Sequence, residues 1–299
     1  MKKYIILFFL MMSCTNFKIQ QAVSPAFFDK EGHRGCRGLM PENTIPAFIK
    51  AIDFGVTTLE MDAVITKDSK VLISHDPYIN HKFSLHPDGT PIIAAEERTL
   101  NIFKMTYAET QQYDVGTKYY PHFPQQQKMK VRKPLFCAVI DTVEAYTRLH
   151  HLPQVQYNIE TKSTDSTDGI FHPEPATFVR LIMQIVETKG IASRVIIQSF
   201  DIRTLQYLHQ HYPNIKTALL VEPPVTLNFA AQLKQLGFIP TIYSPDYSMV
   251  APLLVKQCRD LGIALIPWTV DDLPTMQRLK DMGVNGLISD YPNLYTQLK

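Results

Sequence analysis

The sequence has 299 residues, of which 45% are apolar and 19% charged, and its 30 Lys and Arg against 28 Asp and Glu give a net charge of +2. This composition is ordinary for a globular chain with a sizeable core, and it excludes a largely disordered protein. No run of Lys and Arg is long enough to follow a nucleic-acid backbone, so we predict no nucleic-acid partner. The length fits one large domain.

Residues 1–14 have the pattern of an export signal, with two lysines followed by an apolar stretch too short to span a bilayer comfortably. The stretch ends in Leu-Met-Met-Ser-Cys, which resembles the signal of bacterial lipoproteins, whose cysteine receives lipid. An ordinary cleaved signal is the alternative. We expect an exported protein, periplasmic or membrane-anchored, whose only membrane contact is a lipid at Cys14. Residues 15–26 would be a polar tether and residues 27–299 the folded domain.

Three further cysteines, Cys36, Cys137 and Cys258, lie in this domain. Their number is odd and their spacing is not that of a metal site, so at most one disulfide can form. We expect them to be small residues that are buried or partly buried.

Past residue 26, short β-type runs alternate with amphipathic helical segments, which predicts a parallel sheet covered by helices. The expected fold is an α/β TIM (β/α)8 barrel. The sequence has nine candidate strands for the eight strands of a barrel. We expect the shortest, Ile242–Ser244, to be an accessory piece or a poorly formed strand. The candidate strands are Glu31–Gly35, Leu59–Ile65, Val71–His75, Val155–Thr161, Val195–Phe200, Thr217–Val221, Ile242–Ser244, Ala264–Val270 and Gly286–Ser289.

The helical segments carry apolar residues at i, i+3, i+4 and i+7. In the first segment, Thr44 is the predicted N-cap and Gly55 follows the last turn. Later helices are predicted at Phe178–Lys189, Leu205–Tyr212, Phe229–Leu236, Leu253–Leu261 and Met276–Met282.

One irregular region, residues 78–136, is rich in Pro, Tyr, Gln and His and is too long for an ordinary strand–helix connection. We interpret it as an insertion after the third strand, with a short helix near Tyr107–Gln112. Because it follows the strand that ends at His75, it should lie over the C-terminal mouth of the barrel, where long loops shape substrate choice.

Paired acids stand in the second strand. Glu60 and Asp62 alternate along it, so both side chains leave the same face, with Cα atoms roughly 7 Å apart. Strands of a parallel barrel are normally apolar on both faces, so these carboxylates favour a shared cation over the alternative, a salt-bridge network. Glu160 and Lys162 repeat the arrangement in the fourth strand. Three oxygen ligands without cysteine indicate one divalent cation, Mg²⁺ or Ca²⁺, rather than zinc.

A second cluster, His33-Arg34-Gly35, ends the first strand, and His75 ends the third. A histidine moves a proton near neutral pH, and an arginine holds a phosphate through two parallel hydrogen bonds. Two histidines beside a metal-held phosphodiester can divide the work, one deprotonating the nucleophile and the other protonating the leaving alkoxide. Together these groups suit a phosphate ester, whereas the triplet alone is more often a surface turn.

Short motifs follow one another in order from Gly32 to Pro292: His33-Arg34-Gly35, Pro41-Glu42-Asn43-Thr44, Glu60-Met61-Asp62, His75-Asp76-Pro77, Asn158-Ile159-Glu160-Thr161-Lys162, Gln198-Ser199-Phe200-Asp201, Trp268-Thr269-Val270 and Ser289-Asp290-Tyr291-Pro292. In these motifs the chain resembles the glycerophosphodiester phosphodiesterases. The insertion resembles that of their longer, periplasmic bacterial type, through Tyr113-Asp114-Val115-Gly116 and Phe123-Pro124-Gln125-Gln126. The resemblance implies a TIM barrel that hydrolyses glycerophosphodiesters, such as glycerophosphocholine, to glycerol 3-phosphate and an alcohol.

The resemblance also implies a role for each site residue. The ligands of the cation would be Glu60, Asp62 and Glu160, and the residues that support them Glu42 and Asn43. The proton-transfer pair would be His33 as base and His75 as acid. The substrate would be bound at its phosphate by Arg34 and Lys162 and in the pocket by Gln198 and Trp268.

Two other functions stay open. A long apolar rim in the insertion would favour a phospholipase D-like activity on lysophospholipids or sphingomyelin. The insertion here is polar, with Asp88, Glu96, Glu97, Gln111 and Gln125–Gln127. A catalytically silent lipoprotein that binds phosphorylated ligands would be expected to lack a catalytic side chain, and none is missing. The sequence leaves open the head group, the choice of cation, the attacking group (water or a glycerol hydroxyl) and the oligomeric state.

Overall fold

The computed structural model describes residues 27–299, so the predicted export signal, Cys14 and the tether lie outside the described residues. Within this range, nine strands form one sheet. Their bounds are β1 Asp29–Gly32, β2 Thr58–Ile65, β3 Val71–Ile73, β4 Gln156–Thr161, β5 Val195–Ser199, β6 Lys216–Val221, β7 Ile242–Pro245, β8 Ala264–Leu265 and β9 Gly286–Ser289.

Eight parallel strands follow one another in the order β8-β7-β6-β5-β4-β2-β1-β9. The two ends of this path approach each other just beyond β8, where the Ile288 N–H donates to Pro267 O at 3.0 Å and the Val270 N–H donates to Ile288 O at 2.9 Å. The sheet therefore curls into a nearly closed, TIM-like barrel, which confirms the predicted fold class.

The surplus strand is β3. It pairs antiparallel with the end of β2, with Ile73 opposite Ala63. Only Thr66–Lys70 connects the two strands, and because parallel strands need a crossover of about a dozen residues or more, the chain can return here only as a hairpin. The expectation that Ile242–Ser244 is the accessory piece is therefore wrong, since β7 is hydrogen-bonded between β6 and β8 inside the barrel.

Helices alternate with the barrel strands, except for α2, which lies in the insertion. Their bounds are α1 Ile45–Asp53, α2 Tyr107–Thr110, α3 Phe136–Leu149, α4 Pro175–Lys189, α5 Ile202–His211, α6 Phe229–Leu236, α7 Pro252–Asp260 and α8 Leu273–Met282. Short 3₁₀ turns lie at Glu97–Thr99, Ile102–Lys104, Asp165–Thr167, Ala192–Arg194, Tyr247–Met249 and Pro292–Gln297. Across residues 27–299, no helix combines the length and the apolar character needed to cross a membrane.

Helix α1 begins as predicted, because Thr44 Oγ1 accepts the Ala47 N–H at 3.4 Å. Helix α3 was not among the predicted helices, although its buried positions follow a helical period; they are Phe136, Val139, Ile140, Val143 and Thr147. Because α3 begins at the end of the predicted insertion, its helical period was not recognised in the sequence.

The insertion packs against the β2–β3 hairpin. Its Ile79 and Ile102 are buried in one cluster with Val64 and Leu72 of the hairpin. Helix α2 falls within the short helix that the sequence predicts. The hairpin thus anchors the insertion beside the carboxyl end of β2.

The interior of the barrel has an apolar side and a polar side. Strands β5 to β9 and the segment after β8 contribute a buried apolar cluster, Ile196, Ala218, Ile242, Ile266 and Ile288. Strands β1, β2 and β4 instead bury Glu31, Thr58 and Asn158. The polar side continues upward into the acids predicted for the site.

The three cysteines of the domain are free thiols, with Cys36 and Cys258 buried and Cys137 partly buried. Burial raises the pKa of Cys36 to about 12. Although it lies near the site, Cys36 is therefore protonated and unreactive at neutral pH.

Candidate active site

The loops at the carboxyl ends of the barrel strands enclose a cavity of about 410 Å³. Most of the residues predicted for the site line this cavity; they are His33, Arg34, Glu60, His75, Glu160, Lys162, Gln198 and Trp268. The others, Glu42, Asn43 and Asp62, are buried behind its wall. All the predicted site residues therefore gather at one end of the barrel.

Three carboxylates lie close enough together to hold one metal ion. One oxygen from each of Glu60, Asp62 and Glu160 lies within 4.8 Å of the other two. Burial raises the pKa of Glu60 well above its usual value, and the charge of Asp62 raises it further. Burial also raises the pKa of Glu160, despite the nearby Lys162. The cluster is short of positive charge, and its oxygen donors fit a hard divalent cation such as Mg²⁺ or Ca²⁺.

Arg34 ties these acids together. Its backbone N–H donates to Glu60 Oε2 at 2.7 Å, and its Nη1 donates to Glu42 Oε1 at 2.9 Å. Its Nε lies 3.3 Å from Asp62 Oδ2. Burial would raise the pKa of Asp62, but Arg34, His75 and Lys162 together outweigh burial and hold that pKa well below its usual value. For Glu42, burial is likewise outweighed by Arg34 and Arg37, which lower its pKa to about 2.

The backbone around Arg34 is strained in a way that aims it at the acids. Arg34 and Asn43 have φ angles of 49° and 56°, in the left-handed region that residues other than glycine rarely adopt. The Asn43 N–H donates to Arg34 O at 3.0 Å, and Asn43 Nδ2 donates to Asp62 Oδ2 at 2.8 Å. Gly35 has a φ of 87°, and a Cβ there would lie 2.7 Å from the backbone of Ala47. The loop therefore requires glycine at this position.

His33 is oriented by an acid from the last strand. Its Nδ1 lies 2.6 Å from Asp290 Oδ1, so this nitrogen carries the proton and donates to the carboxylate. Its Nε2, 4.0 Å from Glu60 Oε2, is then free to accept a proton. Burial lowers the pKa of His33, and Asp290 opposes this only in part. The imidazole is therefore neutral near pH 7, as a general base must be.

His75 lies in the loop two residues beyond β3, not at the end of the strand as predicted. The preceding Ser74 N–H donates to Asp62 O at 2.9 Å, which holds this loop beside the acids. His75 Nδ1 lies 3.1 Å from Asp76 Oδ1, and Asp76 Oδ2 accepts from Asn80 Nδ2 at 2.6 Å. With Nδ1 engaged, Nε2 is the nitrogen available to the cavity.

Lys162 and Gln198 each bond directly to an acid of the cluster. Lys162 Nζ donates to Glu160 Oε1 at 2.8 Å. Gln198 Nε2 donates to Glu60 Oε1 at 2.8 Å, while its own Oε1 accepts from Asn158 Nδ2 at 3.0 Å. Gln198 therefore orients Glu60 as well as lining the cavity.

Trp268 forms an aromatic wall. Its Nε1–H donates to Ser244 O at 2.8 Å, and its ring meets that of Phe200 edge-on, with centroids 5.7 Å apart. A second cavity of about 340 Å³ shares Glu160, Lys162, Phe200 and Glu222 with the first. The site therefore has room beyond the groups that would contact the phosphate.

Two residues without a predicted role complete the site. Asp290 orients His33, and the signal for it was an acid at the carboxyl end of a barrel strand, the same signal that identified Glu60. Arg37 donates through Nε to Glu42 Oε2 at 2.7 Å and lies over the Phe123 ring at 4.7 Å, which joins the insertion to the site. Arg37 had no signal in the sequence, because its partner Phe123 arrives from the distant insertion.

Buried carboxylates, basic side chains and two histidines, each oriented by an acid, lie together at the mouth of a TIM-like barrel. This combination defines a hydrolase of phosphate esters. Residues 33–294 match the model of the glycerophosphoryl diester phosphodiesterase family. The chain therefore belongs to the glycerophosphodiester phosphodiesterases, which are phosphoric diester hydrolases, as the resemblance in the sequence predicted.

Relatives match over most of their length. A glycerophosphodiester phosphodiesterase of Bacillus subtilis (strain 168) is 28% identical over 275 residues, covering 89% of this chain and 85% of the relative. One of Caldanaerobacter subterraneus subsp. tengcongensis is 29% identical over 270 residues, covering 89% and 95%.

Solved structures agree with this family and fold. One from Silicibacter pomeroyi DSS-3 that bears the family's name has a TM-score of 0.81 and 27% identity, covering 92% of this chain and 93% of its own. An Oleispira antarctica phosphodiesterase in complex with the product sn-glycerol-3-phosphate has a TM-score of 0.71 and 19% identity, covering 91% and 96%, which shows the shared fold.

Proposed function

We propose that this enzyme hydrolyses glycerophosphodiesters to glycerol 3-phosphate and an alcohol, and that the reaction depends on one divalent cation held by Glu60, Asp62 and Glu160. The observation that carries the proposal is the convergence on one cavity of three carboxylate oxygens within 4.8 Å of one another and two histidines, each oriented by its own acid. The Oleispira phosphodiesterase, whose structure holds sn-glycerol-3-phosphate, supports the choice of product.

The phosphate would lie between the acids and two basic side chains. A divalent cation at the carboxylates would polarise a phosphoryl oxygen and offset the charge that develops in the transition state. Arg34 and Lys162, which both line the cavity, bind the remaining phosphate oxygens. Burial would lower the pKa of Lys162, but Glu160 and Asp62 raise it, so its ammonium stays charged.

The two histidines would move the protons. His33 takes a proton at Nε2 from the attacking group, water or a glycerol hydroxyl, and Asp290 stabilises the imidazolium through Nδ1. His75 gives a proton to the leaving alkoxide. Its side chain is 32% exposed, compared with 12% for His33, so it can regain a proton from solvent after each turnover.

The test is release of glycerol 3-phosphate from glycerophosphocholine, with and without a chelator, followed by addition of Mg²⁺ or Ca²⁺ in separate reactions. We expect chelation to abolish release and one of the two ions to restore it. Activity untouched by chelation would contradict the metal dependence. A parallel reaction with a lysophospholipid separates the phospholipase D-like alternative, and binding without turnover in either ion would instead indicate a silent binding protein.

We also propose that the enzyme acts outside the cytoplasm, as a periplasmic or membrane-anchored lipoprotein with lipid on Cys14. The export pattern of residues 1–14 supports this proposal. Growth with a radiolabelled fatty acid should label the wild-type protein and leave Cys14→Ala unlabelled, and the variant should leave the membrane fraction. An unlabelled wild type contradicts the anchor, and a wild type found in the cytoplasm contradicts export.

A further inference from the structure

The second cavity beside the active site, which we call the annex, has a wall that includes Tyr78, Phe171, Phe200 and Glu222. Its volume is about 340 Å³. Four residues, Glu160, Lys162, Phe200 and Glu222, line both the annex and the active-site cavity, so the annex adjoins the site along them. It is large enough for the small alcohol part of a diester.

The annex lies on the side of the proposed general acid. Pro77 and Tyr78, which line it, follow His75 closely in the chain. Neither His33 nor His75 lines the annex itself, but His33 is held on another side of the site by Asp290, which directly follows the last strand. Because His75 protonates the leaving alkoxide, the alcohol departs next to the annex.

Aromatic rings form much of the annex wall. Tyr78 and Phe171 meet edge-on with ring centroids 6.3 Å apart, and Phe200 meets Trp268 in the same way. Phe200 is 38% exposed despite its size. Aromatic faces attract cations, and those without a hydration shell of their own, such as quaternary ammonium groups, fit them well.

Glu222 adds a negative charge where the annex joins the site. Within residues 27–299 it takes part in no ion pair, whereas Glu160 nearby is already bonded to Lys162 at 2.8 Å. Of the Lys and Arg side chains that line the annex, Lys162 is paired with Glu160, and the exposed Arg98 does not line the active-site cavity; the Arg98 guanidinium lies 5.6 Å from the centre of the Tyr78 ring. A cationic group would therefore be favoured at the junction, beside Glu222, rather than beside Arg98.

We propose that the annex binds the head group of the leaving alcohol, and that Glu222 and Phe200 make it selective for a cationic amino alcohol, such as choline or ethanolamine, over a neutral polyol. This inference rests on the proposed function, because a head group reaches the annex only when the diester is bound at the adjoining site.

The test compares kcat/KM for glycerophosphocholine with that for glycerophosphoglycerol, which has the same diester linkage and a neutral head group. Glu222→Gln should lower the value for glycerophosphocholine about fivefold and leave that for glycerophosphoglycerol unchanged. Phe200→Leu should also lower the first value selectively. Glu187→Gln removes an exposed acid from the outer helix α4 and should change neither value.

Equal losses on both substrates in Glu222→Gln, or a wild type that does not prefer the cationic diester, would overturn the selectivity. Failure of the wild type to hydrolyse either diester in the presence of Mg²⁺ or Ca²⁺ would contradict the proposed function itself. The two failures are therefore distinguishable.

An acid inside the barrel carries a second, independent inference. Glu31 is fully buried, and its Oε2 accepts a hydrogen bond from Asn158 Nδ2 at 2.8 Å. The same Nδ2 donates to Gln198 Oε1 at 3.0 Å, and Gln198 donates to Glu60 at 2.8 Å. Two amides therefore connect the interior acid to a proposed metal ligand.

Two buried oxygens of this line, Glu31 Oε1 and Asn158 Oδ1, have no hydrogen-bond partner within residues 27–299. Both are acceptors as long as Glu31 is ionised. A proton on Glu31 Oε1 makes it a donor, and the acid and the amide can then form a double hydrogen bond. Burial and the nearby Asp29 raise the pKa of Glu31 well above its usual value, which favours this proton.

We infer that Glu31 is a positioning residue that acts as a neutral acid: it fixes the amide of Asn158 and, through Gln198, the orientation of Glu60. Glutamine can make the same double hydrogen bond with an amide, whereas leucine has a similar size and no polar group. The pair Glu31→Gln and Glu31→Leu therefore separates the hydrogen bonds from simple packing.

The test is calorimetric titration with Mg²⁺ and Ca²⁺. Glu31→Leu should weaken cation binding about tenfold, and Glu31→Gln should bind as the wild type does. Asn158→Leu, which cuts the line one residue further on, should match Glu31→Leu and serves if that variant does not fold. Ile196→Val, which changes the apolar side of the interior, should bind normally. Wild-type affinity in both leucine variants, or a Glu31→Gln variant as weak as Glu31→Leu, would overturn the inference.

Discussion

Two buried acids of the same barrel, Asp62 at the mouth and Glu31 in the interior, have pKa values shifted in opposite directions. At the mouth, Asp62 lies 3.3 Å from Arg34 Nε, and its pKa lies well below the usual value. In the interior, Glu31 has an amide as its partner and no ion pair within residues 27–299, and its pKa is raised. Burial alone therefore does not mark a functional carboxylate. A functional carboxylate is marked instead by the cations and histidines that surround it.

The largest expected effect tests whether the mouth acids act as charges. Glu60→Ala removes one of the three oxygen donors, so we expect kcat/KM for glycerophosphocholine to fall about a thousandfold as cation binding is lost. Kinetics with added Mg²⁺ or Ca²⁺ measure the effect, and circular dichroism checks the fold. Glu187→Gln is the matched control. Full activity of Glu60→Ala, with or without a chelator, would contradict the assignment of Glu60 as a ligand of the cation.

A smaller effect is expected at an acid of the mouth that serves a histidine rather than the cation. Asp290→Asn keeps the shape but removes the charge that fixes Nδ1–H of His33, so we expect kcat to fall about a hundredfold with little change in KM. Cation affinity, measured by calorimetry, should stay at the wild-type value. A parallel loss of cation affinity would show that Asp290 supports the metal site instead of the base.

The fold and the mouth acids were predictable because both leave local patterns. Glu60 and Asp62 alternate in a strand that is otherwise apolar, and that pattern needs no knowledge of the neighbouring strands. The accessory strand was misassigned because the prediction relied on the length of each strand. The length of the connection between two strands decides whether they can pair in parallel. Thr66–Lys70 is too short for a parallel crossover, whereas Ile242–Ser244 is short but hydrogen-bonded on both sides.

The contacts that cross the barrel were not predictable from the sequence. The line from Glu31 through Asn158 to Gln198 depends on the register between strands β1, β4 and β5, in which Asn158 stands opposite Ile196. No local pattern determines that register. The role of Asp290 was missed for the same reason, because its partner His33 is 257 residues away in the chain and lies beside it only through the pairing of β1 with β9.

The buried Glu31 should make the stability of the protein depend on pH. Because Glu31 keeps its proton in the folded chain above the usual value of 4.5, the unfolded chain binds fewer protons, and wild-type stability falls as pH rises from that value towards the raised pKa. Glu31→Gln has no proton to lose. It should match the wild type near pH 4 and exceed it increasingly above, by about 1 kcal/mol for each pH unit until the raised pKa is reached.

Urea unfolding from pH 4 to pH 8 measures this difference. Asp29 and Tyr295 are the other titratable groups that face Glu31, and both remain in the variant, so the difference isolates the Glu31 proton. A difference that stays constant with pH would show that Glu31 is ionised in the fold, like Asp62, and would remove the contrast between these two acids.

The smallest effect comes from the apolar side of the same interior. Ile196→Val removes one methylene from a buried cluster without a titratable group, so we expect a loss of about 1 kcal/mol in the free energy of unfolding. The loss should be the same at pH 5 and pH 8 in urea unfolding. If it varied with pH as the Glu31→Gln difference does, the pH dependence would belong to packing of the interior as a whole. A loss that is the same at both pH values assigns the pH dependence of stability to the single proton on Glu31.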